Sequence, residues 1–104
     1  MKQGSPFLES LAKLEVLDLN FSNNNLSDFA FKYLCNSVLN LKCITKLRLI
    51  FDTCSLTEKG CHYLGRLISQ EPRLQEVDLS IRYNDVRFDG VQCICAGLIC
   101  VKKI

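Results

Sequence analysis

Long hydrophobic runs are missing from this 104-residue sequence. The longest apolar stretch, residues 91–101, is interrupted by Gln92 and is shorter than the roughly 20 residues that a membrane-spanning helix needs. The N-terminal stretch MKQGSPFLESLAKLE carries charged residues and has no continuous apolar segment, so it does not predict a secretory signal. We therefore expect a cytoplasmic protein without a membrane partner.

A concentration of charge of one sign is also missing. The 13 basic and 11 acidic residues are interspersed along the chain and leave a formal net charge of +2. Proteins that bind nucleic acids usually carry a clustered basic patch, so we expect no nucleic-acid partner. The composition, 48% hydrophobic and 23% charged, is typical of one globular domain.

Residues that carry chemistry are few. His62, the only histidine, follows Cys61, and adjacent residues on a helix point about 100° apart, which does not suit a nucleophile and its base. The seven cysteines are odd in number and show no CxxC pair, and Cys93 and Cys95 would project from nearly opposite sides of a helix. No glycine-rich phosphate loop is present. We expect no enzyme activity, no cofactor and no metal, and reduced, buried thiols.

The chain repeats itself every 30 residues. Leu17, Leu47 and Val77 occupy one position of this repeat, and the same spacing relates many other apolar residues. It divides a single domain, 1–104, into a partial repeat 1–13 and the units 14–43, 44–73 and 74–103, with both ends expected to be truncated.

Each unit predicts a strand, a turn and a helix. Stretches such as LEVLDLNF alternate apolar and polar residues, which is the period of a half-buried strand. In TEKGCHYLGRLIS the apolar residues follow a helical period, with Thr57 as N-cap and Pro72 beyond the end. The small residues at positions 30, 60 and 90 should let each helix approach the strand layer closely. Stacked units would form a curved solenoid.

These units resemble leucine-rich repeats of the ribonuclease-inhibitor-like type. The segments NNNLSDFAFKYLCNSVL, CSLTEKGCHYL and GVQCICAGL are similar to the C-terminal repeats of NOD-like receptors, cytosolic innate-immune sensors with a NACHT ATPase. Asn24, Cys54 and Asn84 alternate as the Asn-type and Cys-type repeats of that family do. The resemblance implies an α/β leucine-rich-repeat solenoid, a right-handed superhelix with a parallel sheet on its concave side and helices on its convex side.

Two features of the turn after each strand allow alternative interpretations. The resemblance implies that Cys54, like Asn24 and Asn84, turns inward and binds backbone groups of the turn; the alternative is a redox-sensitive thiol. Four residues separate the last strand leucine from this position, where the family usually has about two. Phe21, Phe51 and Ile81 then form either a fourth buried apolar column or an exposed hydrophobic ridge.

Residues that alternate with the inward leucines, all of them polar except Ile50, should face the concave side and form the candidate protein-binding residues. These are Asp18, Asn20, Lys46, Arg48, Ile50, Asp52, Glu76, Asp78 and Arg82. Lys46 should lie opposite Glu76, Arg48 between two aspartates, and Asp52 opposite Arg82. The alternative is that these pairs only hold the strand register.

Three functions remain open. The first is a protein-protein interaction module with the ligand-sensing or autoinhibitory role that the resemblance to NOD-like receptors implies, its partner being another protein or a neighbouring domain of its own. The second is a ribonuclease-inhibitor-like blocker of a basic enzyme, which the near-neutral concave face and the absence of tryptophan disfavour. The third is a structural spacer or non-functional repeat fragment. Uncapped ends of the array also predict self-association.

Overall fold

In the part of the chain that the structure describes, three strands alternate with three helices. The structure, a computed structural model, describes residues 12–99. Its elements are β1 (Val16–Asn20), α1 (Asp28–Leu39), β2 (Lys46–Ile50), α2 (Glu58–Gln70), β3 (Glu76–Ser80) and α3 (Arg87–Leu98). The strands form one open parallel sheet in the order β1, β2, β3, so the fold is of the α/β class.

The strand register follows the sequence repeat. Leu17 pairs with Leu47, and Leu47 pairs with Val77, so each strand residue lies beside the residue 30 positions further along the chain. The predicted period and the predicted stacking of these three residues are therefore confirmed.

The helices α1 and α2 begin at residues whose hydroxyl side chains cap them, whereas the N-cap residue of α3 is Val86, which makes no side-chain cap. Ser27 Oγ accepts a hydrogen bond from Ala30 N at 3.1 Å, and Thr57 Oγ1 accepts one from Lys59 N at 3.3 Å. These bonds satisfy N–H groups that the first helical turn leaves without a partner. The predicted cap at Thr57 is confirmed, and α2 ends before Pro72.

The hydrophobic core lies between the sheet and the helices. Its centre is the second unit, where Leu47, Leu49 and Phe51 are almost fully buried. The Phe51 ring stacks on Phe21 with centroids 5.7 Å apart and meets Phe31 edge-on at 5.1 Å. Since Phe51 is buried and its two counterparts are half-buried against the core, the predicted fourth apolar column is confirmed and the exposed ridge is wrong.

Gly60 and Gly90 lie against the preceding helix and against the turn of their own unit. A Cβ atom on Gly60 would overlap Leu56 Cδ1 of its own unit and lie 3.4 Å from the Phe31 ring in α1, and one on Gly90 would lie 3.1 Å from Cys61 Sγ in α2 and 3.2 Å from Val86 Cβ. These positions point along the stacking direction because each helix sits beside the helix of the next unit. Their small size therefore sets the spacing between units.

A second pair of glycines brings α2 and α3 into close contact. A Cβ atom on Gly97 would lie 2.5 Å from the Gly65 carbonyl oxygen, and one on Gly65 would overlap the Cys93 carbonyl. Only glycine permits this backbone approach. The sequence repeat does not reveal it, because Gly65 and Gly97 occupy different positions of the repeat.

Part of the predicted domain organisation lies outside the described residues. This applies to residues 1–11 of the partial repeat and to residues 100–104, which include the end of the third unit. Among residues 12–99, no helix has the length and hydropathy needed to cross a lipid bilayer.

Candidate protein-binding face

One side of the sheet carries the residues that the sequence predicts as protein-binding. Side chains alternate along each strand, so Leu17, Leu47 and Val77 point into the core while their neighbours point away from it. The outward strand residues are Asp18, Asn20, Lys46, Arg48, Ile50, Glu76 and Asp78. Asp52 and Arg82 lie in the turns that follow β2 and β3. We call these nine residues the outer strand face.

Arg48 lies at the centre of a row of three charges. Its Nη1 is 3.3 Å from Asp18 Oδ2, and its Nε is 3.3 Å from Asp78 Oδ2. The register places the three residues side by side on adjacent strands. The predicted position of Arg48 between two aspartates is confirmed, and all three side chains are at least half exposed.

A second row joins β2 and β3. Lys46 Nζ lies 3.1 Å from Glu76 Oε2, as the register predicts. Exposed ion pairs of this kind each contribute about 0–1 kcal/mol to stability. These rows therefore add little to folding, and their side chains remain between 35% and 70% exposed.

Asp52 anchors the turn after β3. Its Oδ1 accepts hydrogen bonds from Ser80 Oγ and from Arg82 N, both at 2.7 Å. Its Oδ2 lies 3.2 Å from Arg82 Nη2, which confirms the predicted pairing. The Ser80 hydroxyl is the largest influence on the pKa of Asp52, which it lowers together with Arg82 and against the opposing effect of desolvation. Both carboxylate oxygens of Asp52 already bind Ser80 or Arg82. Asp52 therefore holds the turn after β3 in place, and little of its charge is available to a binding partner.

Ile50 and Asn20 complete the outer strand face at the ends of β2 and β1. Ile50 is half-buried and lies in register between Asn20 and Ser80. The Asn20 Oδ1 atom accepts a hydrogen bond from Ser22 N at 3.0 Å. With three basic and four acidic side chains, the face has a net charge of −1 and a partly apolar position near the middle.

Asn84 joins two successive turns by hydrogen bonds. Its Oδ1 accepts from Cys54 N and Leu56 N, each at 2.9 Å. Its Nδ2 donates to Phe51 O at 2.8 Å in the preceding unit and to Ile81 O at 2.9 Å in its own. Five hydrogen bonds thus come from one amide, the fifth going to a carbonyl of the same turn.

Cys54 occupies the same turn position as Asn84 and acts as a weaker donor there. It is fully buried, and its Sγ donates to Phe21 O at 2.9 Å. The predicted structural role, in which the side chain satisfies backbone groups of the turn, is confirmed. The alternative of a redox-sensitive thiol does not fit a side chain without exposed surface.

The residue before this position adopts a left-handed backbone in every unit. The φ angles are 65° at Asn23, 54° at Thr53 and 61° at Tyr83. The N–H groups of the first two donate to the next turn, from Asn23 to Asp52 O at 3.0 Å and from Thr53 to Arg82 O at 2.9 Å. The lengthened turns therefore continue the hydrogen-bonding of the sheet beyond its strands.

The thiols are less uniformly buried than the sequence predicts. Burial raises the pKa of Cys35 to about 12, and burial, with smaller contributions from Cys93 and Glu58, raises that of Cys61 to about 11. Both thiols are therefore protonated near neutral pH. The prediction is wrong for Cys95, which is exposed because no described helix covers α3 as α2 covers α1. No three metal-binding side chains of residues 12–99 converge on one point.

Comparisons with known proteins show what this arrangement is related to. The NACHT, LRR and PYD domains-containing protein 1a (allele 1) of Rattus norvegicus is 38% identical over 91 residues, which is 88% of this chain. Protein 4E of the same series from Mus musculus is 32% identical over 80 residues, or 77% of the chain. Protein 14 from Homo sapiens is 39% identical over 62 residues, or 60% of the chain.

This chain is a homologue of a segment of the NACHT, LRR and PYD domains-containing proteins. This homology supports the predicted relation to NOD-like receptors. The chain spans only 7% of the rat protein, 8% of the mouse protein and 6% of the human protein. No family model matches the chain.

Proposed function

We propose that the protein is a protein-protein interaction module that binds its partner through the outer strand face. The observation that supports this most is the row in which Arg48 lies between Asp18 and Asp78 with all three side chains at least half exposed. Such pairs add little to folding but give a surface of alternating charge, which favours a partner of complementary pattern. The half-buried Ile50 beside this row provides an apolar contact.

We further propose that the three units form a leucine-rich-repeat solenoid of the ribonuclease-inhibitor-like type, with the outer strand face on its concave side. The support is the repetition of strand, turn and helix at a fixed 30-residue register. The relatives named NACHT, LRR and PYD domains-containing proteins support the same assignment.

The role that follows is the ligand-sensing or autoinhibitory segment of a NOD-like innate-immune receptor in the cytoplasm. Its partner is then another protein or a neighbouring domain of the same receptor. Homology to NACHT, LRR and PYD domains-containing proteins supports this role, and the free thiols suit a reducing compartment.

The main alternative is that the charged rows only hold the strand register, as in a structural spacer. The observation that favours it is that all seven charged side chains of the outer strand face already pair with one another. A ribonuclease-inhibitor-like blocker is less well supported, because a basic enzyme would require a more acidic face than one with a net charge of −1.

Inverting the charges of the row formed by Asp18, Arg48 and Asp78 distinguishes a role in partner binding from a role in holding the strand register. The triple variant Asp18→Arg, Arg48→Asp and Asp78→Arg keeps two attractive pairs between adjacent strands but reverses the sign at each point. We expect its unfolding free energy to stay within about 1 kcal/mol of the wild type. Capture of cytosolic proteins by the immobilised chain, quantified by mass spectrometry, should lose the partner that the wild type enriches.

Alanine variants give the matched controls. Arg48→Ala and Ile50→Ala should each reduce capture of that partner, whereas Arg66→Ala, on the exposed side of α2, should leave it unchanged. If the inverted row captures the same proteins as the wild type with equal yield, the outer strand face is not the binding surface. The spacer function would then be favoured.

A further inference from the structure

The same contact between neighbouring units occurs twice in the chain. Phe21 N donates to Ile50 O at 2.8 Å, and Phe51 N donates to Ser80 O at 2.8 Å. In both cases the residue that follows the strand of the earlier unit supplies the N–H group and the later unit supplies the carbonyl. At this end of the strands each unit therefore has a donor face toward the C-terminal end of the array, whereas at the start of the strands the direction is reversed, with Thr45 N donating to Glu15 O and Gln75 N to Thr45 O.

The third unit presents the donor face without a described partner. Ile81 and Tyr83 are equivalent to the donors of the first two units, and no residue among 12–99 accepts a hydrogen bond from their N–H groups. We call this surface, formed by β3, its following turn and α3, the C-terminal face.

The helix of the C-terminal face, α3, has one apolar side chain, Val91, that is exposed although its counterparts in the other two units are buried. Phe31 and Cys61 occupy one position of the repeat and are fully buried, because the glycines at 60 and 90 lie against them. Val91 occupies the same position in the third unit and is 46% exposed. A small residue of another unit would cover Val91 as the glycines cover its counterparts.

The first unit presents the complementary groups. Asn24 Nδ2 donates to carbonyls of its own turn as Asn84 Nδ2 does, but within residues 12–99 no group donates to Asn24 Oδ1. Ala30 occupies the position of Gly60 and is half-buried. We call this surface, formed by β1, its following turn and α1, the N-terminal face.

We propose that the protein self-associates head to tail, with the N-terminal face of one copy seated on the C-terminal face of another. Ala30 of the second copy then lies against Val91. Asn24 Oδ1 of the second copy accepts from the N–H groups of Asn84 and Val86, as Asn84 Oδ1 accepts from Cys54 and Leu56 within the chain.

A second copy fits the C-terminal face because it would repeat the contact that the chain already makes twice between its own successive units. In each existing contact a side chain meets a glycine, Phe31 with Gly60 and Cys61 with Gly90. Val91, intermediate in size between phenylalanine and cysteine, would meet Ala30, which is one methyl group larger than glycine. The two faces differ, so the contact is heterologous and adds copies without closing.

One contact opposes this association and provides a test of its register. In the continued sheet, Asp78 would lie opposite Asp18 of the second copy, as Arg48 lies opposite each of them within the chain. Like charges on adjacent strands repel. Asp18→Asn should therefore lower the dissociation constant about two- to fivefold. An unchanged or higher dissociation constant would contradict the proposed register.

Two variants that each block one face test the proposal directly. Val91→Arg blocks the C-terminal face, and Ala30→Arg blocks the N-terminal face. Phe29→Arg is the matched control, because Phe29 lies in the same helix as Ala30 but residues 29, 59 and 89 are exposed in all three units, so this position is not covered by a neighbouring unit. Light scattering after size-exclusion chromatography gives the mass of each form over a range of concentrations, and circular dichroism checks its folding.

The wild type and Phe29→Arg should grow beyond a dimer as concentration rises, whereas each single-face variant should remain a monomer. A mixture of Val91→Arg and Ala30→Arg should form a dimer and nothing larger, because each variant retains the face that the other lacks. A monomeric wild type, a monomeric mixture or association of Ala30→Arg alone would overturn the proposal.

Hydrogen exchange in the wild type tests the same contact without substitution. The amide hydrogens of Ile81 and Tyr83 should exchange at least tenfold more slowly at high protein concentration, since they become hydrogen-bonded at the junction. The exchange of Phe51 N, which already donates within the chain, serves as the reference. Equal exchange of Ile81 and Tyr83 at low and high concentration would overturn the proposal even if a variant failed to fold.

Discussion

Raising the pH from about 4.5 to about 8 should destabilise the protein through one carboxyl group, that of Glu71. This residue ends α2, is only 5% exposed, and has no hydrogen-bond partner for either carboxylate oxygen. Burial raises its pKa from 4.5 to about 7, against the opposing effect of Lys42. Its counterpart in the first unit is Leu41, which suits the apolar surroundings.

The sign and size of the effect follow from linkage. Because the folded state holds the proton of Glu71 more tightly than the unfolded state, the stabilisation is complete below pH 4.5 and is lost as the pH rises through about 7. The difference between the two pKa values corresponds to about 3 kcal/mol of unfolding free energy.

Denaturant unfolding of the wild type and of Glu71→Leu across this range isolates the contribution. The variant should be as stable as or more stable than the wild type at low pH, and the difference should increase by about 3 kcal/mol in its favour by about pH 8. Lys42→Gln should push the transition of the wild type to higher pH. If the difference between wild type and Glu71→Leu does not change with pH, the carboxyl group is not buried in the folded state as described.

Three further substitutions test the packing and the turns by denaturant unfolding. Asn84→Ala removes five hydrogen bonds and should cost about 2–4 kcal/mol, whereas Asn24→Ala, which loses bonds only within its own turn, should cost about 1 kcal/mol; equal losses would contradict the bridging role. Gly97→Ala forces α3 away from Gly65 and should cost about 1–3 kcal/mol, so an unchanged midpoint would refute the close contact. Arg48→Ala should cost at most about 1 kcal/mol, and a larger loss would favour the register-holding role.

Much of the fold could be predicted because residues that occupy the same position of the sequence repeat are also neighbours in the structure. The alternation in each strand determines which side chains face the core, and the constant 30-residue spacing determines which strand residues become neighbours. The ion pairs of Arg48 followed from these two facts, as did the inward position of Cys54. The residues of the outer strand face were predictable for the same reason, although their binding role stays a prediction.

Where the burial of a side chain depends on a neighbouring unit, the position of that residue in the repeat does not predict it. Cys35 is buried and Cys95 is exposed although both occupy the same position of the repeat, because only Cys35 has a following unit beside it among the described residues. The small residues at positions 60 and 90 were identified from the repeat, but their contacts with Phe31 and Cys61 of the preceding helix were not predicted. Those contacts depend on how helices stack, which spacing along one chain does not specify.

The sequence by itself determined the repeating unit, the strand register and the polar pattern of the outer strand face, since these depend on periodicities of two and of 30 residues that are visible in the chain. Only the tertiary structure decided the close contact of Gly65 with Gly97 and the burial of Glu71 without a partner. Both depend on distances between whole elements, and those distances result from the packing of many side chains at once.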